Sequence, residues 1–208
     1  ENPNQPNNDK PTKNPEPKPP TDTENWWLGE EEIEFAYSEM RKELGNSSKI
    51  QLVSPKQVCS IQEGGEISAD LKKADYIFFP INNSERQETG RSETHWTLLL
   101  FVGGNFRAFF NYNPLEFSTT PEYTMKVAEN FIRKQNLPAW PLVENVKGIP
   151  RQTNNADCGV FVITYTRALI KKYRENEAEI TINLDEKDLI FSIAEERQKL
   201  KAAGFPKK

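Results

Sequence analysis

Gln152-Thr153-Asn154-Asn155-Ala156-Asp157-Cys158-Gly159-Val160-Phe161 is a polar loop that passes into an apolar run reaching Tyr173, and the folding of that run decides the architecture. Its Val, Ile and Thr content favours a strand, but its length exceeds a usual strand, and Arg167, Lys171 and Lys172 suit the negative pole of a helix. A buried helix is expected over 158–173, with Cys158 in its first turn. Backbone N–H groups without helical partners would point at the sulfur there. Such neighbours, a cation or an imidazole are what a reactive thiol needs to lower its pKa from about 8.5.

The chain has one histidine and two cysteines. The histidine lies in Thr94-His95-Trp96-Thr97-Leu98-Leu99-Leu100, so His95 is the only imidazole available as a base for Cys158. Cys59 lies among alternating apolar and polar residues with no base in sequence reach, and reads as a small packed hydrophobe.

Working outward from these two sites, Leu28 to Leu44 spaces Ile33, Ala36, Tyr37, Met40 and Leu44 at helical intervals, with Gly45 as a stop. Lys49 to Ile61 alternates around Pro55 and predicts one or two short strands before a Gly64-Gly65 turn. Ala74 to Ile81 and Trp96 to Val102 are β-branched or aromatic runs of strand length, and Gly103-Gly104-Asn105 reads as a hairpin turn into Phe106 to Tyr112. Pro121 to Gln135 predicts a helix, Leu142 to Ile149 another strand, and Asp188 to Ala203 a last surface helix on Ile190, Ile193, Ala194 and Leu200. No repeat of fixed period is present.

Residues 1–24 carry seven of the fifteen prolines and no other apolar or aromatic side chain, the composition of an extended linker that cannot offset its ordering entropy. Residues 25–208 are then one domain. The chain opens without Met, and a longer parent protein is expected. A net charge of −4 with interspersed signs gives no basic face for nucleic acid or lipid. No run approaches the roughly 20 apolar residues of a membrane helix. One His and two Cys make neither a disulfide framework nor a zinc site, so no metal or cofactor is expected and a reducing compartment fits. A monomer is expected.

Five blocks in order, Trp27-Leu28-Gly29-Glu30-Glu31-Glu32-Ile33, Phe79-Pro80-Ile81-Asn82, His95 to Leu100, Phe110-Asn111-Tyr112-Asn113, and Gln152 ahead of Asp157-Cys158-Gly159, resemble the ubiquitin-like-protein proteases. These are CE clan cysteine peptidases that include SUMO and NEDD8 proteases and bacterial effector deubiquitinases. The resemblance implies an α+β papain-like fold, a central mixed sheet with the nucleophile at the N-terminus of a buried helix. It implies Cys158 as nucleophile, His95 as general base and acid, and Asn113 as the group orienting the imidazole through Nδ1–H. Gln152 would donate to the oxyanion beside the Cys158 N–H, a contact worth about 3 kcal/mol. Trp27 and Trp96 would roof a tunnel for a Gly-Gly tail, where flat aromatic walls exclude any residue with a Cβ.

The third triad position departs from the family pattern, which usually has Asp. An amide oxygen still fixes the tautomer but cannot stabilise imidazolium by charge. Asn111 and Glu116 stand as alternatives. Trp26 and Trp140 read as packing. Glu30 has two readings: a helix N-terminus matched to its dipole, or, by resemblance, a contact to the basic tail preceding Gly-Gly. The expected activity is removal of ubiquitin or a ubiquitin-like protein from lysine. The Asn-Lys-Glu-rich composition resembles secreted bacterial members, which favours ubiquitin and the host cytosol; otherwise the cytoplasm or nucleus is expected. The alternatives are a SUMO or NEDD8 protease, an acetyltransferase of the same clan, and a non-catalytic ubiquitin-binding module. The segments expected to hold the modifier, 47–75 and 84–93, carry no readable code.

Overall fold

The structure, a computed structural model, describes residues 26–83, 95–104, 107–115, 119–137, 141–176, 183–189 and 193–206. The linker 1–24, Glu116, Trp140, Ile190 and the 84–93 segment lie outside the described residues.

Glu30, Glu31 and Glu32 open helix α1 (Glu30–Leu44) at its positive pole, and Gly45, at φ 62°, ends it. The predicted face is buried as Ile33, Ala36, Tyr37 and Met40. Strand β1 (Ile50–Leu52) is shorter than expected, because Ser54 and Pro55 start a helix instead of a second strand. Ser54 Oγ accepts the Gln57 N–H at 3.2 Å, and proline's fixed φ suits the first turn of α2 (Pro55–Gln62). Cys59 is therefore a helical residue. A short α3 (Ala69–Lys73) leads into β2 (Tyr76–Asn82), β3 (Trp96–Val102) and β4 (Ala108–Tyr112). Next come α4 (Glu122–Lys134) and β5 (Val143–Asn145), the latter only the start of the expected 142–149 strand. The 158–173 run is helix α5 (Cys158–Asn176), and α6 (Ile193–Ala202) follows.

The five strands form one mixed sheet in the order β1-β2-β3-β4-β5, parallel at both edges and antiparallel in the middle. Phe78, Leu98, Leu100 and Tyr112 pack on α1 and α5, while Ile77, Phe79, Leu99, Phe101 and Phe109 pack with α2 and α4. Helices on both faces explain why β2 and β3 read as continuous apolar runs without alternation.

α5 is helical despite its β-branched content. The propensity cost is at most about 0.7 kcal/mol per residue, while burying a Val, Ile or Leu side chain contributes about 1.5–3 kcal/mol. Residues 158–166 are all buried. The threonines find partners inside the helix, Thr164 Oγ1 donating to Phe161 O at 3.0 Å and Thr166 Oγ1 to Val162 O at 2.8 Å.

α6 corrects the expectation of a helix laid down on an apolar stripe. Leu200 is buried, but Ala194 is exposed, and the inner face carries Glu196 and Arg197. Both are partnered by ion pairs, Glu196 with Arg167 at 2.6 Å and Arg197 with Asp157.

Candidate active site

Gly159 is what lets α5 begin where it does. A Cβ at this position would come within 2.8 Å of Leu28 Cβ and 3.3 Å of Trp96 Cδ1, so only glycine allows the first turn to seat against them. That contact brings Cys158 to the start of β3, where its sulfur meets the backbone N–H of Trp96 as well as those of Cys158 and Gly159. His95 is the residue before Trp96. Its N–H donates to Asn83 Oδ1 at 2.6 Å and its carbonyl accepts the Asn83 N–H at 3.0 Å, which fixes the backbone that presents the ring.

Asn113 lies just past the end of β4, and its Oδ1 is 2.8 Å from His95 Nε2. The same oxygen accepts the Leu115 backbone N–H at 2.9 Å. A backbone N–H can only donate, so this contact sets which way the amide faces and requires Nε2 to carry its hydrogen. Nδ1 is therefore the basic nitrogen, which corrects the expectation that Nδ1–H would be given to Asn113. Among the described residues, Asn113 Nδ2 is buried without a hydrogen-bond partner. The alternative Asn111 is committed elsewhere: its Oδ1 accepts from Thr97 Oγ1 at 2.7 Å and its Nδ2 donates to Asn145 Oδ1 at 2.8 Å.

Burial sets the resting charge state. Cys158 is 1% exposed, and desolvation pushes its thiol above the ordinary value, opposed by the three N–H groups and assisted by the charge of Asp157. Burial likewise holds the His95 imidazole below its ordinary value, against the pull of the Asn113 hydrogen bond. The helix start favours the thiolate as expected, but desolvation outweighs it. Desolvation thus favours the thiol and the neutral imidazole in the free site.

A cavity of about 620 Å³ opens on His95, lined also by Gln152, Trp27, Tyr123, Leu115 and Asn155; Cys158, 1% exposed, is not among its lining residues. Trp27 is 37% exposed at its edge. Trp96 does not stand beside it as expected: it is 1% exposed, lies outside the lining, and donates its indole N–H to Leu28 O at 2.7 Å. It is a support packed against α5. Tyr123 of α4 is the further aromatic ring of the lining, and burial first, then the charge that Cys158 carries once ionised, pushes its hydroxyl up to about 12.

Gln152 reaches the cavity from a loop anchored by its N–H to Pro114 O at 3.1 Å. Its Nε2 donates to Asn154 O at 2.6 Å, which leaves one amide hydrogen for a ligand. Glu30 is not brought to the cavity. It faces Cys59 Sγ at 4.0 Å and lines a separate groove with Glu31 and Glu34.

Sequence reading missed Tyr123, Asn154 and Arg197. Arg197 stands in Glu195-Glu196-Arg197-Gln198-Lys199, a pattern that looks like a solvated face, and nothing in its spacing marks it. Asn154 could have been found, since Asn followed closely by Ala-Asp is the composition of an Asx turn. Among the described residues no group of three or more His, Cys, Asp or Glu could hold a metal, and no helix is long and apolar enough to cross a membrane.

The chain is similar to a probable sentrin-specific protease 8 of Dictyostelium discoideum, 28% identical over 189 residues, covering 81% of this chain and 77% of that protein. It is also similar to sentrin-specific protease 8 of Homo sapiens, 26% identical over 168 residues and covering 76% and 77%. Among solved structures, the Xanthomonas campestris effector protein XopD bound to ubiquitin superposes with a TM-score of 0.54 at 15% identity, covering 88% of this chain and 96% of that one, which shows a shared fold. Residues 34–195 match the Ulp1 protease family, C-terminal catalytic domain. This match spans most of the chain and includes both His95 and Cys158, so the chain belongs to the Ulp1 protease family and is a cysteine protease of ubiquitin-like proteins.

Proposed function

We propose that this chain is a thiol-dependent isopeptidase that cuts a ubiquitin-like modifier from lysine after its C-terminal Gly-Gly, with 25–208 as the catalytic domain. The observation that carries the reading is the Asn113–His95 pair at a cavity edged by Trp27 and Tyr123, with the Cys158 sulfur on the N–H of Trp96, the residue after His95.

The modifier's tail enters the cavity, and its scissile carbonyl comes to rest over Cys158 Sγ. His95 Nδ1 takes the thiol proton as sulfur attacks, while Asn113 Oδ1 holds Nε2–H and keeps the ring in the productive tautomer. The oxyanion accepts from the Cys158 N–H and from the second Nε2 hydrogen of Gln152. The imidazolium then gives its proton to the departing lysine amine, leaving a thioester on Cys158. A water activated by His95 hydrolyses it and releases the free carboxylate. Cys158 stays a thiol between turnovers, which suits a reducing compartment.

The two sentrin-specific protease 8 relatives above, both matched over about three quarters of their length, favour a ubiquitin-like modifier over ubiquitin itself. Ubiquitin is the second reading, favoured by the ubiquitin bound to XopD. Ubiquitin, SUMO and NEDD8 probes with a C-terminal electrophile test both. Adduct formation on Cys158 with SUMO or NEDD8 supports the first reading, and faster labelling by ubiquitin supports the second. No adduct with any of the three overturns the isopeptidase.

A further inference from the structure

The turn that carries Gln152 and leads into Cys158 is only partly held by its own residues. Asn154 Oδ1 accepts the Ala156 and Asp157 N–H groups at 2.9 and 3.0 Å, and Asn154 Nδ2 donates to Asp157 Oδ2 at 2.7 Å. The other acceptors of the turn are met from a distant part of the chain. Arg197 of α6 donates to Asp157 Oδ1 through Nε at 2.9 Å and also through Nη2, which in addition reaches Ala156 O at 3.2 Å. Its third nitrogen, Nη1, donates to Trp26 O at 3.0 Å, and its guanidinium lies 5.0 Å from the Trp26 ring centroid.

Arg197 is 6% exposed and Asp157 8%. A buried ion pair is weak evidence for stability, because desolvation offsets its attraction, so this one calls for another account. The guanidinium spans the turn before the nucleophile and the residue before Trp27, two segments remote in sequence that both reach the cavity. A planar fork with fixed donors can set their spacing, whereas a lysine ammonium cannot reach three acceptors with defined geometry.

We propose that Arg197 is a positioning residue for the cleavage reaction, fixing the Gln152–Cys158 turn against Trp27 through Asp157, Ala156 O and Trp26 O. The inference rests on the proposed nucleophilic role of Cys158. Arg197 also balances Asp157, whose charge opposes thiolate formation at Cys158. The other groups that act on that sulfur are the Trp96 N–H at the start of β3, with His95 the residue before it, Tyr123 of α4, and the Cys158 and Gly159 N–H groups of α5.

The test uses the full chain as wild type, R197K, R197M and D157N/R197M, with a modifier C-terminal aminocoumarin amide that the wild type hydrolyses and rates counted per thiol labelled by the matching electrophilic probe. R197K and R197M are expected to lower kcat by about tenfold or more with KM within about threefold, because an ångström of misplacement at the reacting atoms costs rate before affinity. The pH midpoint for alkylation of Cys158 by iodoacetamide, which needs no tail site, should rise by about one unit in R197M and return in D157N/R197M. A purely structural role moves neither the midpoint nor its rescue. If R197M fails to fold, R197K, which keeps the charge, carries the test. R197K retaining kcat within about threefold, or an unmoved midpoint in folded R197M, overturns the inference. A wild-type chain that no modifier probe labels overturns the proposed function and this inference with it.

Discussion

The two faces of the sheet come from alternate residues of the same strands but are organised differently. On one face Phe79, Phe101, Phe109 and Phe131 meet ring to ring at centroid distances of 5.0 to 6.1 Å, and the buried polar residues beside them include Thr97 and Asn111, which bond each other at 2.7 Å. On the other face α5 is gripped by apolar contacts in its middle, while its surroundings hold polar groups in fixed partnerships: Tyr37 OH with Thr166 Oγ1 at 3.0 Å, Arg167 with Glu196, and Arg197 with Asp157. Phenyl packing is worth energy but tolerates small shifts. Hydrogen bonds to charged groups fail within a fraction of an ångström, so those around α5 hold in register the helix that begins with Cys158.

The largest effect expected on this contrast is loss of chemistry without loss of fold. Cys158→Ala should abolish cleavage while thermal unfolding and binding of the modifier stay close to wild type, since the sulfur supplies the covalent step and the tail site supplies affinity. Cleavage by the alanine variant within about tenfold of wild type would remove Cys158 from the nucleophile role.

Phe131→Ala should do the reverse. It empties a fully buried phenyl site shared by three other rings and should cost about 3–5 kcal/mol in denaturant unfolding. kcat per folded molecule should hold, and a fall in kcat at unchanged folded fraction would show that the two faces are coupled.

Gln152→Ala should lower kcat by about a hundredfold with little change in KM, because its second amide hydrogen is engaged only when the oxyanion forms. A rise in KM alone would make Gln152 a docking residue.

Asn113→Asp is expected to change the rate least and the pH profile most. A carboxylate facing His95 Nε2 raises the imidazole's pKa and favours the thiolate–imidazolium pair, so Cys158 alkylation should persist to lower pH than in wild type. kcat near neutral pH should stay within about threefold, because the carboxylate accepts the same hydrogen. An alkylation profile that does not move would show that Asn113 is not the partner of His95 in solution.

Much of this was legible in the residues. The α1 face, the two long central strands, α4 and the Cys158 helix all follow from periodicity and length. Misreadings came where a local signal was outweighed by a stronger one. At Lys49 to Ile61 the alternation pointed to strands, but Ser54-Pro55 is a helix start and prevailed because a capped first turn satisfies donors that a lone edge strand leaves open. The burial of Trp96 was not legible in its position after His95. The side chain lies under Gly159, where no residue larger than glycine fits.

By itself the sequence determined which side chains are available: one imidazole, one cysteine at a helix start, an amide at the third position, and a glycine where two elements touch. Only the tertiary structure decided which nitrogen of His95 is the base, because a single N–H from Leu115 orients the Asn113 amide. It alone decided that Tyr123 rather than Trp96 shares the cavity lining with Trp27, and that an arginine in a charged stretch near the C-terminus is buried against the nucleophile's turn. Periodicity records which face of an element is apolar, but the partner of a buried polar group is set by distances between elements remote in sequence. Arg197 and Asp157, 40 positions apart, meet only when α5 and α6 pack.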